Sequence, residues 1–134
     1  MIEKLSAKKV KDYLKNIIDC PNWHIGKSDS NEEQSITIYT NKRNLAKISD
    51  YKKLQTYGIL PITMLIRWTK NYDKAEIKAN EIYELLDCSS FFIEDYMCNI
   101  NCLYNAPIDL GTDEKNVYEF SIELDLLYKK GEKV

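Results

Sequence analysis

Three carboxylates, Glu119, Glu123 and Asp125, share one phase of the alternating stretch "YEFSIELDLLY". Clustered carboxylates can hold a divalent cation or do acid–base work, as they do in nucleases. A solvated strand face accounts for the same residues, and acids on an exposed strand discourage uncontrolled pairing with other chains. A second candidate set is Cys20, His24, Cys98 and Cys102, four ligands of the kind zinc takes. Neither pair has the tight CxxC spacing, and Cys98 and Cys102 fall in phase with Ile100, where small buried thiols belong. His24 is the only histidine, so any Ser/His/Asp or Cys/His set must pass through it. It sits beside Trp23 with no nucleophile motif nearby, which favours a surface or stacking role. The four glycines form no phosphate-cradling loop. "DLGTDE" lacks the alternating ligands and terminal glutamate of a calcium loop. Arg67-Trp68 with Lys70 is too little for a nucleic-acid stacking platform, and the ordinary expectation is Trp in the core with Arg at its rim. The chain is therefore expected to have no catalytic residues, no metal site and no cofactor.

The elements that would position these residues are legible from periodicity. Ser6, flanked by Leu5 and Val10, caps a helix expected over 6–19, with Val10, Tyr13, Leu14, Ile17 and Ile18 at helical spacing and Cys20-Pro21 closing it. "NWHIGKSDSNEEQ" reads as a turn-rich loop and "SITIYT" as a strand. "NKRNLAKISDYKKLQTYG", residues 41–58, fits a short helix or an ordered excursion. "ITMLIRWT", after Pro61, has the apolar, β-branched run of a central strand covered on both faces. "YDKAEIKANEIYELLD" is a helix, with Asp73 and Glu76 as a capping-box-like start and Ala75, Ala79, Ile82 and Leu86 along one stripe. "FFIEDYMCNINCLYN" reads as a strand, "APIDLGTDEK" as a loop, and Tyr118, Phe120, Ile122, Leu124, Leu126 and Tyr128 as the apolar phase of a long final strand. This order implies an α+β fold, a mostly antiparallel sheet packed by two helices.

At 134 residues the chain suits a single domain over 1–134 with its own core. Lys+Arg 19 against Asp+Glu 21 leaves a net charge of −2, which disfavours general nucleic-acid binding. The charge is segregated: Lys4, Lys8, Lys9, Lys11 and Lys15 make the first helix basic, whereas the last strand is acidic. Such polarity suits head-to-tail contacts between copies, with Lys8, Lys11 and Lys15 as a subunit-contact face. Ten tyrosines also fit an interface-forming protein. The N-terminus carries no apolar leader-like run, and no apolar run approaches the roughly 20 residues that cross a bilayer. A cytoplasmic product with reduced cysteines and no membrane association is expected.

"ITMLIRWTKNYDKAEIKANEIYELL", a strand, and then "APIDLGTDEKNVYEFSIELDLLYK" resemble the small tailed-phage family of minor capsid proteins. The wider relatives of that family are the tail terminator, or tail-completion, proteins of the head-to-tail junction. The resemblance spans essentially the whole chain in length and element order. It is most specific at "IRWTKNYDKAE" and "PIDLGTDEKNVYEFSIE", neither of which is a catalytic motif. It implies a tail-terminator-like fold and a virion protein of the head–tail junction, assembled in the host bacterial cytoplasm. The implied assembly is a homo-oligomeric ring, typically a hexamer, on the last ring of the tail tube. There it would stop tube growth and face the head–tail connector protein.

Within that frame Glu119, Glu123 and Asp125 are expected to face the lumen, where negative charge keeps passing DNA from sticking, or to lie at the subunit interface. "KSDSNEEQ" and "APIDLGTDEK" are expected to order only on a partner. Three other readings compete: a connector-side head-completion adaptor, a collar of a contractile tail or tail-like bacteriocin, and a small metal-dependent nuclease using the carboxylate stripe.

Overall fold

The structure, a computed structural model, describes residues 5–28, 31–40 and 57–130. The chain runs α1 (Ala7–Leu14), β1 (Trp23–Ile25), β2 (Ser35–Thr40), β3 (Tyr57–Arg67), α2 (Tyr72–Leu86), β4 (Ser90–Ile93), β5 (Tyr96–Cys102), β6 (Ile108–Thr112) and β7 (Tyr118–Lys130). Most of the segment read as a short helix or excursion, 41–56, lies outside the described residues.

Local chemistry accounts for the helices. Ser6 caps α1 by accepting a hydrogen bond from the Lys9 amide, and the helix buries Val10 and Leu14. It ends earlier than the periodicity suggests. The Asn16 and Ile17 amides bond three residues back, to Tyr13 and Leu14, so the last turn tightens while Ile18 still reaches the core. In α2 the cap is Asn71, whose side chain accepts from the Lys74 amide at 3.1 Å. The expected start at Asp73 is thus corrected by two residues: Asp73 lies in the first turn, where its charge complements the helix N-terminus. Ala75, Ala79, Ile82 and Leu86 are fully buried, as their spacing implied.

The sheet has the order β1-β2-β3-β7-β5-β4, with β6 also on β7. The β1–β2 pair is parallel and the other described pairs are antiparallel. β7 organises it. One edge of β7 pairs with β3 from Tyr57↔Lys129 to Arg67↔Glu119. The other edge is shared: β5 takes Leu124 to Lys130 and β6 takes Tyr118 to Ser121. The chain leaves β7 after Cys102 and rejoins it at Ile108, with the Leu103 amide still bonded to the Glu123 carbonyl at 2.9 Å. Part of the expected loop "APIDLGTDEK" is therefore a strand. Gly111, at φ 82, forms the bulge that lets it pair.

Three further differences from the sequence reading have local causes. The expected single strand "FFIEDYMCNINCLYN" is a hairpin, turning at Glu94-Asp95 with Glu94 in the left-handed region at φ 53. β3 begins before Pro61. β2 pairs only up to Thr40↔Ile62, so among the described strands β3 is bonded on one side at Pro61 and the missing N–H is tolerated. Lastly, the turn-rich segment around His24 contributes β1, too short to show a period.

Both helices pack on one face of the sheet. Ile36 and Ile38 of β2, Ile62, Met64 and Ile66 of β3, and Phe120, Ile122, Leu124 and Leu126 of β7 meet them in one buried cluster. The sheet curls enough for α1 to touch β1 and β4, which end the strand order. Tyr13 stacks on Phe91 with ring centres 4.1 Å apart, and Lys9 reaches Glu94 at 3.0 Å.

Candidate functional site

The face of the sheet away from the helices carries the polar phase of β7, and its register decides what each acid meets. Glu119 is directly opposite Arg67, Glu123 opposite Thr63, and Asp125 between Pro61 and Asn101. Cross-strand neighbours on one face lie close enough for their side chains to interact. The Glu119 carboxylate is 3.3 Å from Arg67 Nε, and Glu123 accepts a hydrogen bond from Thr63 Oγ1 at 2.7 Å. All three acids are half-buried, and Ser35, Thr37, Arg67 and Ser121 on this face are buried outright. The face is therefore less open to water than strict alternation implies.

Arg67 is the centre of this arrangement. Only 2% of its side chain is exposed, against 18% for Asp113 and 20% for Glu119. Its Nη2 pairs with Asp113 Oδ2, its Nη1 donates to the Glu32 carbonyl, and its Nε faces Glu119. The planar guanidinium suits such a three-way contact, and a buried arginine requires it. The expected arrangement of Arg67 and Trp68 is thus reversed: Arg67 is inside, and half-buried Trp68 lies under the Lys78 ammonium, 5.0 Å from its ring centre.

Asp113 also organises the turn that follows β6. Its Oδ1 accepts from the amides of Lys115 (2.9 Å) and Val117 (3.0 Å), while its own amide bonds the Val117 carbonyl. Asn116 sits in the left-handed region at φ 63, a conformation asparagine tolerates. Burial opposes ionisation of Asp113, but the Val117 amide, the Arg67 guanidinium and the Lys115 amide outweigh it and hold its carboxyl below the ordinary range. Glu119 shifts the other way: burial raises it, and the attraction of Arg67 does not fully offset this beside the Asp113 charge.

The segment preceding β2 joins the same network. His24 Nε2 and Glu32 Oε2 are 2.7 Å apart, and Lys115 Nζ donates to Asn31 Oδ1 at 2.9 Å. A cleft of about 170 Å³ lies between this segment and the 113–117 turn, lined by Asn31, Glu33, Arg67, Lys70 and Lys115 among others.

The remaining candidates are dispersed. Cys20 donates to the Asn22 carbonyl, His24 faces Glu32, and Cys98 is buried in the core. Among the described residues no group of three or more His, Cys, Asp or Glu is placed to hold a metal ion. Burial raises the Cys98 thiol to about 11, and burial together with Asp87 raises Cys102 to about 12. On α1, Lys8 pairs with Asp12 at 2.9 Å, Lys11 lies 3.9 Å from the same residue, and Lys15 is exposed. Asp12 thus interrupts the basic face. No described helix is long and apolar enough to cross a membrane.

Sequence reasoning singled out Glu119 and Arg67 separately but missed that they pair, and missed Asp113 and Glu32 as the other partners of Arg67. Aspartate and asparagine both favour turns, so Asp113 was findable as a turn residue. Its pairing with Arg67, 46 positions away, was not.

The sequence matches the family model for the bacteriophage tail terminator protein over residues 12–130. No curated protein matches the chain.

Proposed function

The chain belongs to the bacteriophage tail terminator family, a structural family of the phage tail, and on that premise we propose that it caps the tail tube as a ring. In this reading the ring, a hexamer of identical subunits, ends tube polymerisation and presents a surface to the head–tail connector. It works by binding and geometry, without catalysis. The family match over residues 12–130 is the observation that carries the reading.

The charge layout supports it. A closed ring of identical subunits needs two different patches on each copy. The basic residues of α1 and its C-cap (Lys8, Lys11 and Lys15) and the acids of β7 (Glu119, Glu123 and Asp125) occupy opposite faces of the sheet. Glu119, Glu123 and Asp125, half-buried on the face away from the helices, are proposed as the acids that meet a lumen or a neighbour. Negative charge there would let DNA pass without specific binding.

Deleting the gene in its producing strain and examining released particles by electron microscopy tests this. Tails of uncontrolled length, unjoined to heads, are expected. Tails of normal length lacking heads would move the protein to the connector side, and normal infectious particles would remove the structural role.

A further inference from the structure

The two segments expected to order only on a partner are joined to each other in the subunit. Glu32 and Asn31 belong to one, and Asp113 and Lys115 to the other. Arg67 lies between them: one end of its guanidinium holds the Glu32 carbonyl, another holds Asp113, and the edge faces Glu119. Each contact makes the next more favourable. Asp113 presents Oδ2 to Arg67 while its Oδ1 is bonded to the Lys115 and Val117 amides, so the closed 113–117 turn holds the carboxylate in position. The Glu32 carbonyl, in turn, is held in place by the Glu32 side chain on His24 of β1. A buried guanidinium that lost either loop would keep its charge with fewer partners, which is costly.

We infer that Arg67 couples the 31–34 segment to the 113–117 turn, so that the two loops order and yield as one unit. The chain of contacts runs His24, Glu32, Arg67, Asp113. A partner that fixes one loop thereby prepares the other, and the surface they form is presented whole. That this surface meets a tail component rests on the tail-capping reading. The coupling does not.

The test perturbs one loop and reads the other in the purified subunit. His24→Phe removes the anchor of Glu32 without touching the 113–117 turn. The readout is hydrogen exchange at the Asp113, Asn116 and Val117 amides, each bonded within that turn. Exchange there is expected to quicken by about tenfold, the scale of one weakened charged hydrogen bond, while α2 amides report that the fold is intact. In an Arg67→Lys background the same substitution should add nothing, because lysine cannot span the three acceptors. Glu32→Gln serves as a second way to loosen the first loop. Unchanged exchange at 113–117 in both His24→Phe and Glu32→Gln, or full additivity with Arg67→Lys, overturns the coupling. Failure of the tail-capping reading would show instead as normal particles after gene deletion, whatever the exchange rates.

Discussion

Arg67 and Glu119 face each other across β3 and β7, with 3.3 Å between Nε and Oε2, and a second carboxylate, Asp113, holds the far end of the guanidinium. One buried cation thus answers two acids, and the acidic stripe of β7 is partly neutralised within the subunit. Arg67→Ala leaves both carboxylates half-buried without it. We expect a loss of about 3 kcal/mol or more, the scale for breaking a buried ion pair, as a lower midpoint in urea unfolding. A variant within about 0.5 kcal/mol of the parent, the range of ordinary surface substitutions, would show that the network contributes little.

Acid should expose the two carboxylates in opposite senses. Asp113 lies below its ordinary value of 3.8, so its stabilisation is present above that value and is lost as pH falls through the folded-state value. Glu119 lies above its ordinary 4.5, so the folded state takes up its proton first and gains stability as pH drops towards 4.5 from neutrality. Asp113→Asn should flatten the decline in stability below about pH 4, and Glu119→Gln should remove an upward tilt above pH 4.5. Unfolding free energies measured from pH 3 to 7 separate the two.

Gly58 lies opposite Tyr128, whose ring occupies the space a side chain would need: a Cβ there would come within 2.4 Å of it. Tyr128 is 5% exposed and packs edge-on against Tyr96, so a shift of its ring would disturb that packing. Gly58→Ala should cost about 1–3 kcal/mol by overpacking. Calorimetry of this variant beside Gly58→Ala/Tyr128→Leu should show the second change recovering part of the loss.

Thiol labelling should follow burial. Cys88 is exposed, whereas Cys98 and Cys102 are pushed up to about 11 and about 12. Because the thiolate is the reactive form, alkylation of the native protein at pH 8 should mark Cys88 first and leave Cys98 until unfolding. Peptide mass analysis over time reads the order.

The stripe itself can be divided. Reversing Glu123 and Asp125 to lysine leaves the Arg67–Glu119 pair in place. If the two acids line the lumen, complementing a deletion strain with this variant should give capped tails that eject DNA poorly. If they belong to the subunit contact, tail capping itself should fail.

Patterning by itself determined the parts of this protein whose partners are local or whose burial is uniform. The stripe of Ala75, Ala79, Ile82 and Leu86 and the alternation from Tyr118 to Tyr128 were legible because period and burial coincide there, and together they carried the α+β fold class. Ser6 was legible as a cap because its acceptor reaches only to Lys9. What tertiary structure decided depends on register between distant segments. β6 exists because β7 has an unpaired half-edge to offer. Its own residues, with Gly111 among them, show no strand period. The hairpin at Glu94-Asp95 lacks the usual asparagine–glycine signal, since pairing of β4 with β5 imposes the left-handed turn. Arg67 beside Trp68 pointed to the wrong residue as the buried one. β3 meets β7 with Arg67 opposite Glu119, and β6 delivers Asp113 to the same point, which offsets the cost of burying the guanidinium. Long-range pairing energies of this kind are summed only when the chain has folded, and no local window of sequence contains them.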